Sequence, residues 1–404
     1  MSVSGMRVVV VSVAFVACAS TAAMGASLTS VGVLDPASPN SDLRALSSDD
    51  SYAVGSSRSA SGVNVPIVWS MSDGLVALPN PSGANSLAHG VAVGIGSNTG
   101  NIMISGLHEG NLVHRFYKAP LNDLAGGSWV DTASAGGLGG TSNLRGGTSN
   151  VLRSDIGIAD GRWYTSGRRN DTGRAARFRG DPNVGWDGTG VRSVESVSGY
   201  GVVVGRDNAA ISNAYYEGPG QAFGTVPGGG GFRTDGFGIS PSFGKSAVGD
   251  FDVQWIAGQN LSYSGGTQAQ AFRWKRGEAA MELLGTLPGH TSSVAYTVAD
   301  NGVTAGRSFI SGGETAVIWD TSGTWDTTGT AQSIQDLLGA AGVDTSDWTR
   351  LVRAYALSDD GMTVAGFGVW AADGSTRGFV AVIPEPAALA LLALGMPLLR
   401  RRRQ

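Results

Sequence analysis

Tyr355-Ala356-Leu357-Ser358-Asp359-Asp360-Gly361-Met362-Thr363-Val364-Ala365-Gly366, followed after a loop by Gly378-Phe379-Val380-Ala381-Val382, is the stretch on which the fold turns. It reads as an apolar residue, Ser or Ala, an Asp/Asn/Gly turn, an apolar run ending in Gly, a polar loop and an aromatic strand. Asp-Gly between alternating apolar runs supplies the positive φ that a two-residue hairpin turn needs, so the phrase predicts antiparallel strands joined by tight turns.

The same phrase recurs upstream. Ala295-Tyr296-Thr297-Val298-Ala299-Asp300-Asn301-Gly302-Val303-Thr304-Ala305-Gly306 leads to Ala316-Val317-Ile318-Trp319, and Ala45 to Gly55 leads to Pro66-Ile67-Val68-Trp69. Gly238-Ile239-Ser240 reaches Ala271-Phe272-Arg273-Trp274 through a longer insert. Weaker copies run over Ile102 to Tyr117, Ile156 to Phe178 and Val194 to Tyr216, with Gly106, Gly167 and Gly205 in the glycine position. These make about seven units spaced roughly 40 to 60 residues apart, a period typical of stacked repeats or propeller blades.

Some units add a fourth strand, as at Leu75 to Asn80 and Met281 to Gly289, but the last unit lacks one. Leu28 to Pro36 resembles Leu283 to Gly289 and is expected to supply it, closing a ring. The expected fold is therefore all-β, a propeller of about seven four-stranded blades in which only short edges remain. The 63 glycines agree, since such a load is tolerated where tight turns recur. The best helical candidate is Ala331 to Ala341, where Ile334, Leu337 and Leu338 recur at helical spacing and Gly339 and Gly342 end the run. Glycine-rich Gly136 to Gly147 and Gly228 to Gly231 read as surface loops.

The two ends read differently from the body. Arg7, the apolar run Val8 to Ala17 and the small residues Ala22 to Ala26 follow the order of a secretory signal peptide, residues 1–26. Cys18, the single cysteine, lies inside it, so the remaining chain has no thiol for a disulfide, a metal or nucleophilic catalysis. The propeller is expected over residues 27–382. Residues 383–404 carry Pro384, Glu385 and Pro386, the apolar run Ala387 to Leu399, and Arg400, Arg401, Arg402 and Arg403. The apolar run is only about 20 Å long as a helix, a short transmembrane segment whose arginines are held at the cytoplasmic face.

This tail resembles the PEP-CTERM sorting signal. The resemblance implies an exported substrate of the membrane protease exosortase, tethered transiently to the inner membrane before processing, then placed at the cell surface or in the extracellular matrix, often with exopolysaccharide or biofilm. The repeat phrase, with Ala271-Phe272-Arg273-Trp274 as its signature, resembles the HAF-type extracellular repeat of exported bacterial proteins.

Chemistry is sparse. A net charge of -4 and no basic stripe outside the last residues argue against nucleic acid. His89, His108, His114 and His290 form no metal-ligand pair and read as histidines bonded to backbone or water. Gly94 to Gly100 lacks the lysine of a phosphate loop and reads as a turn. Asp250, Asp252, Asp359 and Asp360 read as turn residues rather than calcium ligands or an acid/base pair. No catalytic, metal or cofactor residue is assigned. Trp69, Trp274 and Trp319 share one repeat phase and are expected in the core between blades. Trp163, Trp186, Trp255, Trp325, Trp348 and Trp370 lie off that phase, where some are free to stack on sugar from loops. The function expected is a non-enzymatic, exported scaffold contacting exopolysaccharide or another envelope protein. The alternatives are a carbohydrate-binding module and a polysaccharide-cleaving propeller enzyme with carboxylates converging in the funnel.

Overall fold

The computed structural model describes residues 25–47, 49–81, 83–94, 99–108, 113–131, 149–152, 161–168, 174–180, 183–191, 193–207, 213–218, 221–228, 233–243, 254–261, 268–320 and 331–383. The signal segment before residue 25, the Pro-Glu-Pro tail, Asp250, Asp252, Trp325 and the 136–147 loop lie outside them. No helix among the described residues is long and apolar enough to cross a membrane.

The described strands form seven four-stranded antiparallel sheets. In chain order their first strands are Ser41–Leu46, Leu87–Val93, Ser149–Leu152, Ser193–Val197, Arg233–Ile239, Ser292–Val298 and Trp348–Leu357. Each sheet packs on the next, and the seventh packs on the first, so the sheets are blades of a closed ring. First strands of neighbouring blades approach one another, which places them innermost, around the axis. All seven repeat units found in the sequence fall on these blades, numbered 1 to 7 from the N-terminus.

Ring closure takes the expected form. Blade 7 carries three strands from its own repeat, and Ser27–Ser30 adds the fourth, pairing antiparallel with Phe379 to Val382. The core is divided into layers between blades. Val54, Val68 and Leu78 of blade 1 meet Ile102, Ile104 and Tyr117 of blade 2. Val204 and Ala214 of blade 4 meet Phe272 and Trp274 of blade 5. Trp69, Trp274 and Trp319 are all buried, as their shared phase predicts. Trp319 Nε1 donates to the Gly285 carbonyl of the preceding blade at 3.0 Å. Trp129 makes the same kind of bond to Pro79 of blade 1 at 2.7 Å. These indoles fill the wedge between sheets while their one polar group finds a carbonyl.

Three details correct the sequence reading. Trp348 is not a loop residue free to stack on sugar; it is buried, edge-on to Trp370 at 5.1 Å and to Phe379 at 6.0 Å, because the innermost strand of blade 7 begins there. The expected helix is Ile334–Ala340, capped by Ser333, whose side chain accepts from the Asp336 N–H; Gly339 lies inside it and Gly342, at φ 84°, follows its end. The turns of the phrase enclose three or four residues rather than two: the Ala299 N–H bonds the Val303 carbonyl around Asp300-Asn301-Gly302, and the Ser358 N–H bonds the Thr363 carbonyl around Asp359 to Met362. In the first of these the Gly302 N–H also closes on the Ala299 carbonyl, and only Gly302 has positive φ, 82°. Gly201 and Gly361 repeat this at 75° and 78°. In blade 1 the position is Asp50, at φ 59° the only described non-glycine residue with positive φ.

The glycine that closes each apolar run has a different cause. In blades 1, 2, 4, 5, 6 and 7 the innermost strand is bulged, and the residue before the bulge pairs with Gly55, Gly106, Gly205, Gly258, Gly306 and Gly366 respectively. A Cβ on Gly55, Gly258 or Gly366 would stand 1.9 Å from the carbonyl oxygen of Asp42, Asp235 or Arg353. The bulge pushes that carbonyl into the space of the missing side chain, so the repeat keeps glycine for lack of room.

Candidate functional site

In six of the seven inner strands a bulge beside the closing glycine leaves one residue unpaired, and the blade 7 strand has two further shifts, at Thr349 and Val352. The residue left unpaired beside the glycine is Arg44 in blade 1, His89 in blade 2, Glu195 in blade 4, Phe237 in blade 5, Tyr296 in blade 6 and Tyr355 in blade 7. All six are half-buried. Across blades 5, 6, 7 and 1 they touch in series. Phe237 lies 5.9 Å from Tyr296, Tyr296 lies 4.9 Å from Tyr355, and the Arg44 guanidinium sits 4.8 Å from the centre of the Tyr355 ring. Aromatic contacts between residues on separate inner strands define an arc around the axis.

A tier of charge borders this arc. Arg353, two residues before Tyr355, donates to the Tyr355 hydroxyl at 2.9 Å and to both oxygens of Glu314 at 2.6 and 3.0 Å. Arg307 pairs with the same Glu314. Burial alone would raise the Glu314 pKa, but the Arg353 hydrogen bonds and the Arg307 charge hold it below the usual carboxylate range. Burial pushes the Tyr296 hydroxyl up to about 12, with the nearby Arg307 opposing. Arg44 pairs with Asp42 at 2.5 Å. In blade 5, Asp235 holds Arg233 at 3.0 Å and Arg206 of blade 4 at 3.6 Å.

Three residues beyond the bulges, where the inner strands of blades 1, 4, 5, 6 and 7 end, the turns form a collar. Ser198 Oγ donates to the Phe243 carbonyl, Ser242 donates to Asp300 through N–H and hydroxyl at 2.9 and 2.5 Å, and the Asp300 N–H reaches the Asp359 carbonyl at 3.2 Å. Asn301 donates to the Asp360 carbonyl at 2.7 Å and Thr363 to Asp50 at 3.2 Å, linking blades 4, 5, 6, 7 and 1. The expected turn role of Asp360 holds: it accepts from Ser358 Oγ and the Met362 N–H. Asp359 is pushed up to about 7 by burial, then by Asp300, Asp50, Asp360 and Asp49. Asp50 is pushed up to about 6 by burial, then by Asp360, with Thr363 opposing. Among the described residues no group of three His, Cys, Asp or Glu is placed to hold a metal ion.

The histidines scatter. His290 bonds Ser308 through Nδ1 at 3.0 Å, as the bonded reading predicts. His108 departs from it: the ring is buried, edge-on to Trp129 at 4.0 Å, with neither nitrogen hydrogen-bonded among the described residues. Burial, then the Arg115 charge, lowers its pKa to about 4, so it packs as a neutral ring. Trp255 and Trp370 are half-buried beside Lys275 and Arg377. The side chains of His114, Trp163 and Trp186 lie outside the described set.

No family model matches the chain, and no curated protein matches it. Among solved structures it is similar to an oligogalacturonate lyase in complex with manganese, at 10% identity and a TM-score of 0.50, covering 89% of this chain and 97% of that one. A puromycin hydrolase matches at 11% identity and TM-score 0.46 over 89% of this chain and 57% of that one. TolB from Acinetobacter baumannii matches at 13% identity and TM-score 0.40 over 83% and 80%. At such identities the likeness is one of fold, and the class it defines is the β-propeller.

Proposed function

We propose that this propeller is an exported, non-enzymatic scaffold that binds extracellular polysaccharide through the aromatic arc at its axis. The observation that carries the reading is the continuous contact of Phe237, Tyr296, Tyr355 and Arg44, contributed by four consecutive blades. Aromatic faces held rigidly by separate strands present area at little entropic cost, which suits sugar rings. Export rests on the signal-like first 26 residues and on Pro384, Glu385, Pro386 and the terminal arginines, read as substrate features for an exosortase-type protease. The carbohydrate-binding-module reading shares this site and differs only in scale.

The polysaccharide-cleaving reading needs a carboxylic acid able to give a proton at the axis. Asp359 and Asp50, pushed up to about 7 and about 6 in the collar, are the carboxyl groups such a reading would use; at the arc itself Glu314 is held ionised between two arginines, and Asp42 and Asp235 are engaged in ion pairs, which favours binding at the aromatic residues. The test is fractionation of cells making tagged protein with and without Pro384 to Pro386, combined with pull-down on extracted exopolysaccharide. Envelope or matrix location that depends on the motif, with retention on the polysaccharide and no new reducing ends, is the expected result. A cytosolic product or release of sugar would overturn it.

A further inference from the structure

Resting on that reading, we infer that the sugar taken by the axial arc is acidic, a uronate-bearing chain whose carboxylate meets the guanidinium groups of Arg44 and Arg353. The Arg44 guanidinium caps the Tyr355 ring at 4.8 Å from its centre and Arg353 is bonded to the phenol oxygen at 2.9 Å, so a sugar resting against the rim of this half-buried ring meets both cations. The neighbouring half-buried ring of Tyr296, tilted by 48° at 4.9 Å, continues the arc toward blade 5.

Charge at the arc selects among sugars. Three guanidinium groups, on Arg44, Arg307 and Arg353, stand with two carboxylates, Asp42 and Glu314, so one positive charge is in excess among the described groups of the arc. Arg307 also keeps a buried Nε–H with no acceptor among the described residues. Donors predominate over acceptors here, and an anionic acceptor makes shorter, stronger hydrogen bonds to guanidinium than a neutral hydroxyl does. The bulge positions of blades 2 and 4 are filled by His89 and Glu195 rather than arginine, so the acidic sugar is assigned to the side of blades 6, 7 and 1.

The test compares two forms of one polymer on purified full-length protein: polygalacturonate, and the same polymer with its carboxyl groups chemically reduced to alcohols. Calorimetry or affinity electrophoresis is expected to give binding to the acid form roughly tenfold or more tighter, declining as salt rises. Tyr355→Ala and Arg44→Gln are each expected to lower acid-form binding by about tenfold, with circular dichroism reporting the fold. Should either variant not fold, the two polymers on the unmodified protein decide alone. Equal binding of both forms overturns the acidic assignment and leaves the scaffold reading standing. Tighter binding of dextran sulfate than of polygalacturonate overturns the carboxylate assignment, and binding of no polymer by folded protein overturns both readings.

Discussion

The collar of turns and the arc of bulged residues are neighbouring levels of the same inner strands yet answer to different physics. The collar ties each of blades 5, 6, 7 and 1 to its neighbour by hydrogen bonds and crowds its carboxylates; the arc leaves aromatic residues half-buried and a guanidinium in excess. Substitutions in the collar should therefore register in stability and its pH dependence, and substitutions in the arc should register in binding while the fold stays close to its original stability.

The largest effect is expected at the bulge itself, where the arc residue leaves the strand that leads into the collar. Gly366→Ala puts a methyl 1.9 Å from the Arg353 carbonyl, so it should cost about 3 kcal/mol or more in chemical denaturation and also weaken glycan binding by displacing Tyr355. Gly374→Ala is the matched control: open space surrounds its Cβ, φ is 69°, and the cost should be only about 1 kcal/mol. Equal costs at the two positions would show that conformational freedom, rather than the carbonyl, explains the repeat glycine.

Next in size is the titration of the collar. Asp359 has a folded pKa of about 7 against an ordinary 3.8, so the folded state binds more protons than the unfolded one between those values. Its contribution is most favourable below about pH 4 and is lost as pH rises through about 7. Asp359→Asn should raise the thermal midpoint at pH 8 by roughly 2 °C or more and change it little at pH 4. A midpoint shift independent of pH would remove crowding as the cause.

Asp50 sharpens the same point from the backbone. It stands where Gly201, Gly302 and Gly361 stand in sister blades, and like them has positive φ. Asp50→Gly removes the left-handed strain, about 1 kcal/mol, and a crowded carboxylate, at the expense of one hydrogen bond from Thr363. It should stabilise at pH 8, and less at pH 5, as followed by differential scanning calorimetry. The smallest stability effect belongs to the arc: Tyr355→Phe keeps the ring and loses the Arg353 bond, so about 1 kcal/mol or less is expected in urea unfolding, with retention on exopolysaccharide preserved.

Why the arc escaped a sequence reading while the blades did not is a matter of residue type. Blades announce themselves because the turn residues and the closing glycine recur at nearly fixed offsets, and because Trp69, Trp274 and Trp319 occupy one phase. The closing strand was legible too, through the likeness of Leu28 to Pro36 to Leu283 to Gly289, although only Ser27–Ser30 pairs. Bulged residues hold a fixed place as well, three before Ser47, Ser198, Ser240, Ala299 and Ser358, but nothing marks it by type: Arg44, His89, Glu195, Phe237, Tyr296 and Tyr355 share no chemistry. The faint signal was Tyr296 and Tyr355 at the head of the two clearest copies. Trp348 was misplaced because the inner strand of blade 7 runs from Trp348 to Leu357, longer than any other described first strand, and carries a residue off the repeat phase into the core.

Pairing Ser27–Ser30 with Phe379 to Val382 makes the first thread spun and the last thread spun into the two halves of one clasp. Until both have been made, blade 7 has an open edge and its apolar faces lack a cover. A chain fastened this way stays an open string for as long as it is being synthesised, and becomes a wheel only after its last strand is free to reach its first.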